Sequence, residues 1–515
     1  MSHQTNRRTF LKQSALAGAA LSMPAYIRAA SEGANSDIRI AVVGFHGRGQ
    51  SHISAYSGMK GVRIVALCDV DSSVLEKGVN QLRQKNIEAK PFADIRKLLD
   101  SGEVDAISIA TPNHWHSLAA IWGIQAGKDV YVEKPVSHNV WEGRQLVKAT
   151  DKYQRIVQMG VQSRSAQGLA DVIRWMKTEP LGKLQYVRGL CYKRRPSIGL
   201  VSGDQQVPAT IDYDLWSGPA PLVPPHRNDP KYGIIHYDWH WIWNYGNGDL
   251  GNQGIHQMDI ARRFTGEAEL SPKIVSVGGR LGYKDDGETP NSMIVFHDYE
   301  KAPLIFEVRG LPEKTGSETM DKYRGAGVGV VAQYEHGYVV APDYSNAAVF
   351  DNDNKLVRKY GNPPGVKDMT ESNPITAEEK EKDKNDRLSS KEEGHFGNFI
   401  ACVRSRKSAD LNAKIIDGHI SSALCHTANI SYRLGKTSAP DVIREKFKGN
   451  KEALDSFDRL ATHLAANGVD INVDKLSLGE FLKMDPKTER FIDNAAADKM
   501  LTREYRAPYI VPEKV

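Results

Sequence analysis

The stretch GNQGIHQMD, residues 251–259, places one histidine, His256, four residues after Asn252 and three before Asp259. An imidazole changes charge near neutrality and can pass a proton, provided that something holds its second ring nitrogen. Far upstream, Lys134 stands in EKP, directly after the apolar run DVYVE. An ammonium fixed at the end of a strand can stabilise negative charge growing on an oxygen. The plain alternatives are a polar turn around His256 and a solvated lysine. Which holds depends on the elements that carry the two groups.

From residue 38 the text IRIAVVGFHGRGQSHISAYS reads as a β-branched strand, a glycine-rich turn and a helix. This order points backbone N–H groups and the positive end of a helix dipole at a pyrophosphate. Gly44 and Gly49 take the first and last glycine positions of a dinucleotide turn, His46 stands at the middle one, and Gly47 and Arg48 complete the loop. A second strand, VRIVALCDV, ends at Asp69, twenty residues after Gly49, where a carboxylate accepts hydrogen bonds from ribose hydroxyls. Asp69 would repel a 2′-phosphate and no Lys or Arg follows closely, so NAD is favoured over NADP. DAISIA leads into TPNHWHSLAAIWGIQAGK, where Thr111 is expected to cap a helix and Pro112 to sit in its first turn. Ligands of an open α/β sheet bind outside the C-terminal strand ends, so Thr111, Pro112, Asn113, His116, Glu133, Lys134 and, after the next strand, Gln162 are expected around the cofactor.

The order of glycine-rich turn, CDVD, ATPNHWH and EKP resembles that of the Gfo/Idh/MocA oxidoreductases, over roughly residues 37–435. The resemblance implies an α/β fold: an N-terminal NAD-binding Rossmann domain at 37–160, then a C-terminal α/β domain at 161–435 with an open, mostly antiparallel sheet that often serves in oligomer contacts. A homodimer or homotetramer follows as the expected assembly. Residues 436–515 are expected to be a helical extension outside the shared core. Family members commonly carry Asp-x-x-x-His where this chain has Asn252 and His256, the histidine taking the proton of the substrate hydroxyl. An asparagine can bond the ring but cannot stabilise an imidazolium by charge. His256 is therefore expected to be a weaker base, with Asn252 beside it, and with Lys134 stabilising the oxygen as hydride leaves carbon for the nicotinamide.

The segment HYDWHWIWNYGNGDLGNQGIHQMDIARRF supplies three tryptophans, two tyrosines and three histidines. Aromatic faces stack on sugar C–H surfaces, so Trp239, His240 and Trp241, together with Asp259, are candidate substrate contacts; a packed aromatic mini-core is the alternative. Arg194 and Arg195, in YKRRPSIG, would fix hydroxyls or a carboxylate, or cap a surface. His114 and His116 lack the accompanying ligands of a metal site, and no metal is expected.

At 515 residues, with 40% hydrophobic and 25% charged content, the composition fits a globular chain of two or more domains. Formal net charge is +5, but Arg7, Arg8, Lys12 and Arg28 against Glu32 concentrate much of it in residues 1–34, leaving nothing to suggest nucleic acid as partner. Four cysteines without CxxC spacing indicate neither a disulfide framework nor zinc. NRRTFLKQSALAGAALSMPAYIRAA resembles a twin-arginine export signal, with an apolar run too short for a stable membrane span, and implies a periplasmic protein. The expected function is an exported NAD-dependent oxidoreductase acting on a secondary hydroxyl of a sugar, glycoside or cyclitol, its cofactor tightly held. Two other readings stand beside it: an NAD-dependent glycosidase working through transient 3-keto oxidation and elimination, and a catalytically weak sugar-binding protein.

Overall fold

Apolar β-branched runs that end in glycine or acid suit strands buried between helical layers. In the computed structural model, which describes residues 37–227, 233–379 and 394–515, they form a six-stranded parallel sheet. Its strands are β1 (Ile38–Val43), β2 (Val62–Cys68), β3 (Lys90–Phe92), β4 (Ala106–Ile109), β5 (Asp129–Glu133) and β6 (Val157–Gly160), in the spatial order β3-β2-β1-β4-β5-β6. The order reverses between β1 and β4, which opens a crevice beyond their C-terminal ends. The helices α1 (Gly49–Ser57), α2 (Ser72–Arg83), α3 (Asn113–Gln125) and α4 (Val140–Tyr153) connect the strands. Asp71 caps α2 by accepting from the Ser73 N–H, and Asn139 caps α4 by accepting from that of Glu142. Thr111 does not cap α3: Pro112 occupies the cap position without a side-chain bond, and the Thr111 hydroxyl is left buried beside the crevice. The expected export signal at 1–34 lies outside the described residues.

The second sheet is mixed. β7 (Leu184–Tyr192), β8 (Lys273–Gly279), β9 (Ser292–His297), β10 (Leu304–Arg309), β11 (Val328–Tyr334), β12 (Gly337–Ala341), β13 (Ala347–Asp351) and β14 (Leu356–Tyr360) run in the order β14-β13-β12-β11-β7-β10-β9-β8. Only β7 and β10 pair in parallel; the other neighbours are antiparallel, as the fold class anticipated. The helices α5 (Gln167–Met176), α6 (Gly254–Thr265) and α8 (Ile415–Arg433) pack on one face, burying Ile255, Met258, Ile260, Leu424 and Ala428 with Val187, Val295 and Phe306. Between them in sequence, α7 (Gly394–Ser405) turns back to the first sheet and sets Phe399, Ile400 and Val403 against Ile40 and Val42.

The last 80 residues depart from the helical extension expected outside the core. They contain α9 (Pro440–Phe447) and α10 (Lys451–Ala466), but also β15 (Lys436–Ser438), β16 (Leu476–Leu478), β17 (Leu482–Asp485) and β18 (Arg490–Phe491), three of which extend the second sheet beyond β8. Short alternating segments such as LSL and LKMD become strands because β8 offers them an edge, a tertiary effect that propensity does not carry. Helix α10 lays Phe457, Leu460 and Leu464 over Val275, Val277, Phe296 and Ile305, covering the β8–β10 side of the second face. A buried ion cluster pins it there: Arg188 on β7 donates to Glu307 on β10 at 2.6 Å and to Ser456 at 2.7 Å, while Arg459 donates to the same carboxylate. The tail then returns to the first domain, where Tyr509, 2% exposed, packs against Trp115 and Trp122 of α3 and donates to Asp214 at 2.9 Å. Tyr509→Ala is expected to cost about 3 kcal/mol of stability through the lost aromatic packing; chemical denaturation with unchanged slope would register it, whereas an unaltered midpoint would mean that the tail adds nothing.

Candidate active site

The crevice at the end of the first sheet opens into a cavity of about 560 Å³ with walls from both domains. At its cofactor end, Gly44 has φ +76°, and a Cβ there would stand 2.8 Å from the Thr111 backbone; at Gly49 it would stand 2.2 Å from the Gly44 carbonyl oxygen. Only glycine fits either position, and the turn so formed leaves room for a pyrophosphate against the first turn of α1. The Asp69 carboxylate is aligned by the Phe45 and Asp71 N–H groups at 3.0 and 3.1 Å, and burial raises its pKa against those bonds. Asp69, Thr111, Pro112, Asn113, His116, Glu133, Lys134 and Gln162 all line the cavity, as do Gly44, His46, Gly47 and Arg48. The donor set and the glycine cradle fit a dinucleotide. His46 does not fold into the turn; its ring stacks on His236 at 3.8 Å, and His236 bonds Asp71 at 3.0 Å.

Glu133 is clamped beneath this end. Its carboxylate accepts from Arg48 at 2.9 Å and from His52 at 3.1 Å, and His52 meets Ser108 through its other nitrogen at 2.8 Å. Burial opposes the carboxylate charge, but the His52 hydrogen bond and the Arg48 cation prevail and hold its pKa well below the usual range. His116 ties the neighbouring loops, with ring nitrogens 2.6 Å from the Pro135 carbonyl and 2.7 Å from that of Thr111.

Just beyond Glu133, the Lys134 ammonium donates to the Asn252 carbonyl at 2.8 Å and to its side-chain oxygen at 3.3 Å. Asn252 was expected to face His256. It serves Lys134 instead: at Gln253, which keeps helical φ and ψ, the hydrogen-bond ladder slips, the His256 N–H bonding the Gln253 carbonyl at 3.2 Å and leaving that of Asn252 to the ammonium. His256 is 7% exposed; its Nδ1 is buried without a partner and its ring lies 4.7 Å from that of Tyr344. Burial, then the Lys134 charge, push its pKa down to about 3, so the ring is neutral near pH 7. Burial likewise lowers Lys134, against Glu133 and with Arg48, Lys193 and Arg195, to about 8.

The substrate residues read from sequence divide. Trp239 and His240 line the cavity, stacked on each other at 3.7 Å. Trp241 lies behind the wall, under the Arg195 guanidinium at 5.0 Å, so it supports a lining residue and does not face the cavity. Arg194 points out to Glu318 on the surface, while Lys193 and Arg195 face in, since alternate side chains of an extended chain take opposite sides. Asp259 is also no cavity residue. It is fully buried, accepts two bonds from Arg164 at 2.9 Å and one from Ser421 at 2.8 Å, and locks α6 to its neighbours, with no partner role toward His256. Sequence reading missed Lys193, Gln253, Tyr344 and His236 as lining residues; strand alternation could have found Lys193, and Gln253 and His236 lie inside segments already singled out, whereas Tyr344 arrives from a segment remote in the chain. Among the described residues no cluster of metal-ligating side chains occurs.

Comparison with known proteins bears on both domains. Residues 38–161 match the Gfo/Idh/MocA family model described as "Oxidoreductase family, NAD-binding Rossmann fold", and residues 187–301 match that of the family's "C-terminal alpha/beta domain". Similar curated proteins include glycosyl hydrolase family 109 protein 1 of Shewanella sp. (strain ANA-3), 31% identical over 124 residues, and an alpha-N-acetylgalactosaminidase of Shewanella oneidensis, 28% identical over 123 residues. Each match takes in 23% of this chain and 27% of the relative, so the chain spans about a quarter of the length of these relatives. Among solved structures, the WlbA dehydrogenase from Bordetella pertussis in complex with NADH and UDP-GlcNAcA aligns with TM-score 0.52 and 19% identity over 75% of this chain and 93% of that one. The oxidoreductase domain protein from Kribbella flavida aligns with TM-score 0.51 and 16% identity over 76% and 95%. At these identities the structural likeness shows a shared fold. Asp69→Ala is expected to weaken NAD binding roughly tenfold or more, the worth of hydrogen bonds to a charged group; calorimetric titration measures it, and an unchanged Kd would place the ribose elsewhere.

Proposed function

We propose, for a chain that carries both Gfo/Idh/MocA domains at residues 38–161 and 187–301, an NAD-dependent oxidoreductase acting on a secondary hydroxyl of a carbohydrate or cyclitol. The observation that carries this reading is the convergence of Lys134, Asn252 and His256 on one cavity with the dinucleotide turn and Asp69. Bound NAD would supply the hydride acceptor. The chain supplies the rest: Lys134, anchored by Asn252, is the group whose pKa of about 8 lies near working pH, and in its neutral form it can take the hydroxyl proton. As an ammonium it stabilises the oxygen from which that proton has gone. His256, neutral and partnerless at Nδ1, acts as a hydrogen-bonding guide for the hydroxyl; with a pKa of about 3 it is a poor proton acceptor in the free protein. Trp239, His240 and Tyr344 offer ring faces to an apolar sugar surface.

Export by the twin-arginine pathway to the periplasm belongs to the same proposal, resting on RRTFLK and the short apolar run after it. NAD is scarce outside the cytoplasm, so the cofactor is loaded before export and retained. Retention is supported by the way Thr210, Asp212 and His236 are tied to the first domain: Ser72 N–H donates to the Thr210 carbonyl at 2.8 Å, Asp212 N–H to that of Val70 at 3.1 Å, and His236 joins Asp71 and His46. Mass spectrometry of the nucleotide released from purified protein tests retention. A protein that carries none, binds none and reduces none with any carbohydrate would end the oxidoreductase reading.

A glycosidase reading also has support, from the 124-residue similarity to a glycosyl hydrolase family 109 protein. There, oxidation at C3 acidifies the C2 proton and lets the leaving group depart, so hydrolysis of an aryl glycoside in D₂O would place deuterium at C2. Product without exchange would dismiss it.

For oxidation, kcat/KM is expected to rise about tenfold per pH unit up to a pKa near 8, the limb on which Lys134 loses its proton. Lys134→Met should remove that limb and at least ~100-fold of the rate, read at the nicotinamide absorbance; a limb retained in the variant would assign the proton to another group.

A further inference from the structure

Resting on the oxidoreductase reading, the charge around the substrate end of the cavity points to a narrower class of ligand. Strand β7 ends at Tyr192, but its ladder with β10 continues, as the Lys193 N–H donates to the Arg309 carbonyl at 3.0 Å and that of Arg195 to the Gly310 carbonyl at 2.8 Å. The extended backbone therefore turns Lys193 and Arg195 to one side, into the cavity, and Arg194 to the other. Arg195 is committed: Asp249 takes two of its hydrogen bonds, at 2.9 and 2.6 Å, and the Tyr237 hydroxyl a third at 3.1 Å. Lys193 is not. Its ammonium donates to the neutral Gln253 side-chain oxygen at 2.9 Å and forms no salt bridge among the described residues.

Lys134 stands on the same cavity and is likewise bonded only to the neutral Asn252 oxygens, while the nearest carboxylate, Glu133, is engaged by Arg48 and His52. The acids that line the cavity, Asp69, Asp71 and Asp94, gather at the adenosine end. Two ammonium groups whose hydrogen bonds go to neutral oxygens, Lys134 half-buried and Lys193 exposed, thus face the space beside His256, Gln253 and Tyr344, in a cleft that concentrates their field. One of them, Lys134, is needed for the hydroxyl. The other, exposed along the same cavity, is open to a charged substituent of the substrate.

We infer that the substrate is an anionic carbohydrate, a sugar acid or sugar phosphate, whose carboxylate or phosphate is held by Lys193 with Arg195 behind it.

The test uses the full-length protein loaded with NAD and follows binding by calorimetry, with quenching of the cavity tryptophans as a second readout. The probes are D-glucuronate and D-glucose 6-phosphate, each against D-glucose, and D-galacturonate against D-galactose. At least one anionic member is expected to bind about tenfold or more tightly than its neutral parent, and the better of carboxylate and phosphate identifies the group. Lys193→Gln should erase that margin while NAD affinity stays at the wild-type value, and added salt should narrow it in the wild type alone. The inference is overturned if NAD binds but the neutral sugars bind as well as the anionic ones, if no anionic probe binds, or if Lys193→Gln keeps the margin. Failure to bind NAD at all would instead strike the oxidoreductase reading on which this one rests.

Discussion

Lys134 stands one residue past β5, so its position is set by the first sheet, whereas Asn252, which takes both of its hydrogen bonds, closes a short helix of the second domain. This contact fixes how the dinucleotide crevice meets the substrate wall. An ammonium recessed between two domains cannot be left without acceptors, and the backbone carbonyl of Asn252 is available only because the hydrogen-bond ladder slips at Gln253. The same slip turns Gln253 toward Lys193 and Tyr344 and leaves His256 without a side-chain partner. One irregular residue in the helix therefore distributes the polar groups of the whole substrate end.

Electrostatics follow from that arrangement. Glu133 sits beside Lys134 and would neutralise it if free, but Arg48 reaches down from the glycine turn and His52 from α1 to engage it. The carboxylate becomes part of the floor, and the ammonium keeps its charge facing the cavity. Burial then does the tuning: it brings Lys134 toward neutrality and drives His256 far below it, so that the group expected from the family pattern to be the base and the group expected to be its helper exchange emphasis. With an amide at position 252, nothing holds an imidazolium, and the amide is free to hold the lysine instead.

What was legible in the sequence was whatever a local rule decides. Gly44 and Gly49 are required by a tight turn, Asp69 by the end of a strand, and Glu133-Lys134 by a strand end at the ligand side of a parallel sheet; each is fixed within a few residues of itself. The mixed sheet was not read from local pattern; it was expected only from the family resemblance. Asp259 was misread because its partner, Arg164, lies 95 residues away, and nothing local separates a buried structural carboxylate from a functional one. Arg194 was misread by one position: which parity of an extended segment faces the cavity depends on how β7 registers against β10 and β11, a pairing that local sequence does not state. Tyr344 enters the site from a loop and His236 from the end of the short helix Gly233–His236, and only the packed fold defines their placement.

The C-terminal segment shows why a chain of this length need not be a two-domain core with an appendage. Helix α10 covers the β8–β10 side of the face that the family resemblance assigns to subunit contacts, and Arg188, fully buried there, finds its counter-charges within the chain, in Glu307 and the acids of α10. A buried guanidinium so paired is costly to expose, so this part of the sheet is closed by the protein itself, and subunit contacts through that face would have to use the β11–β14 side. The tail that follows α10 crosses back to α3 and to the short helix Tyr213–Ser217, both walls of the cofactor cavity, where Arg506 and Tyr509 hold Asp214. The last residues of the chain are thus coupled to the first domain's ligand end. The packing at Tyr509 adds to contacts that already join the two domains, among them α8 against α4 and the Lys134–Asn252 hydrogen bonds.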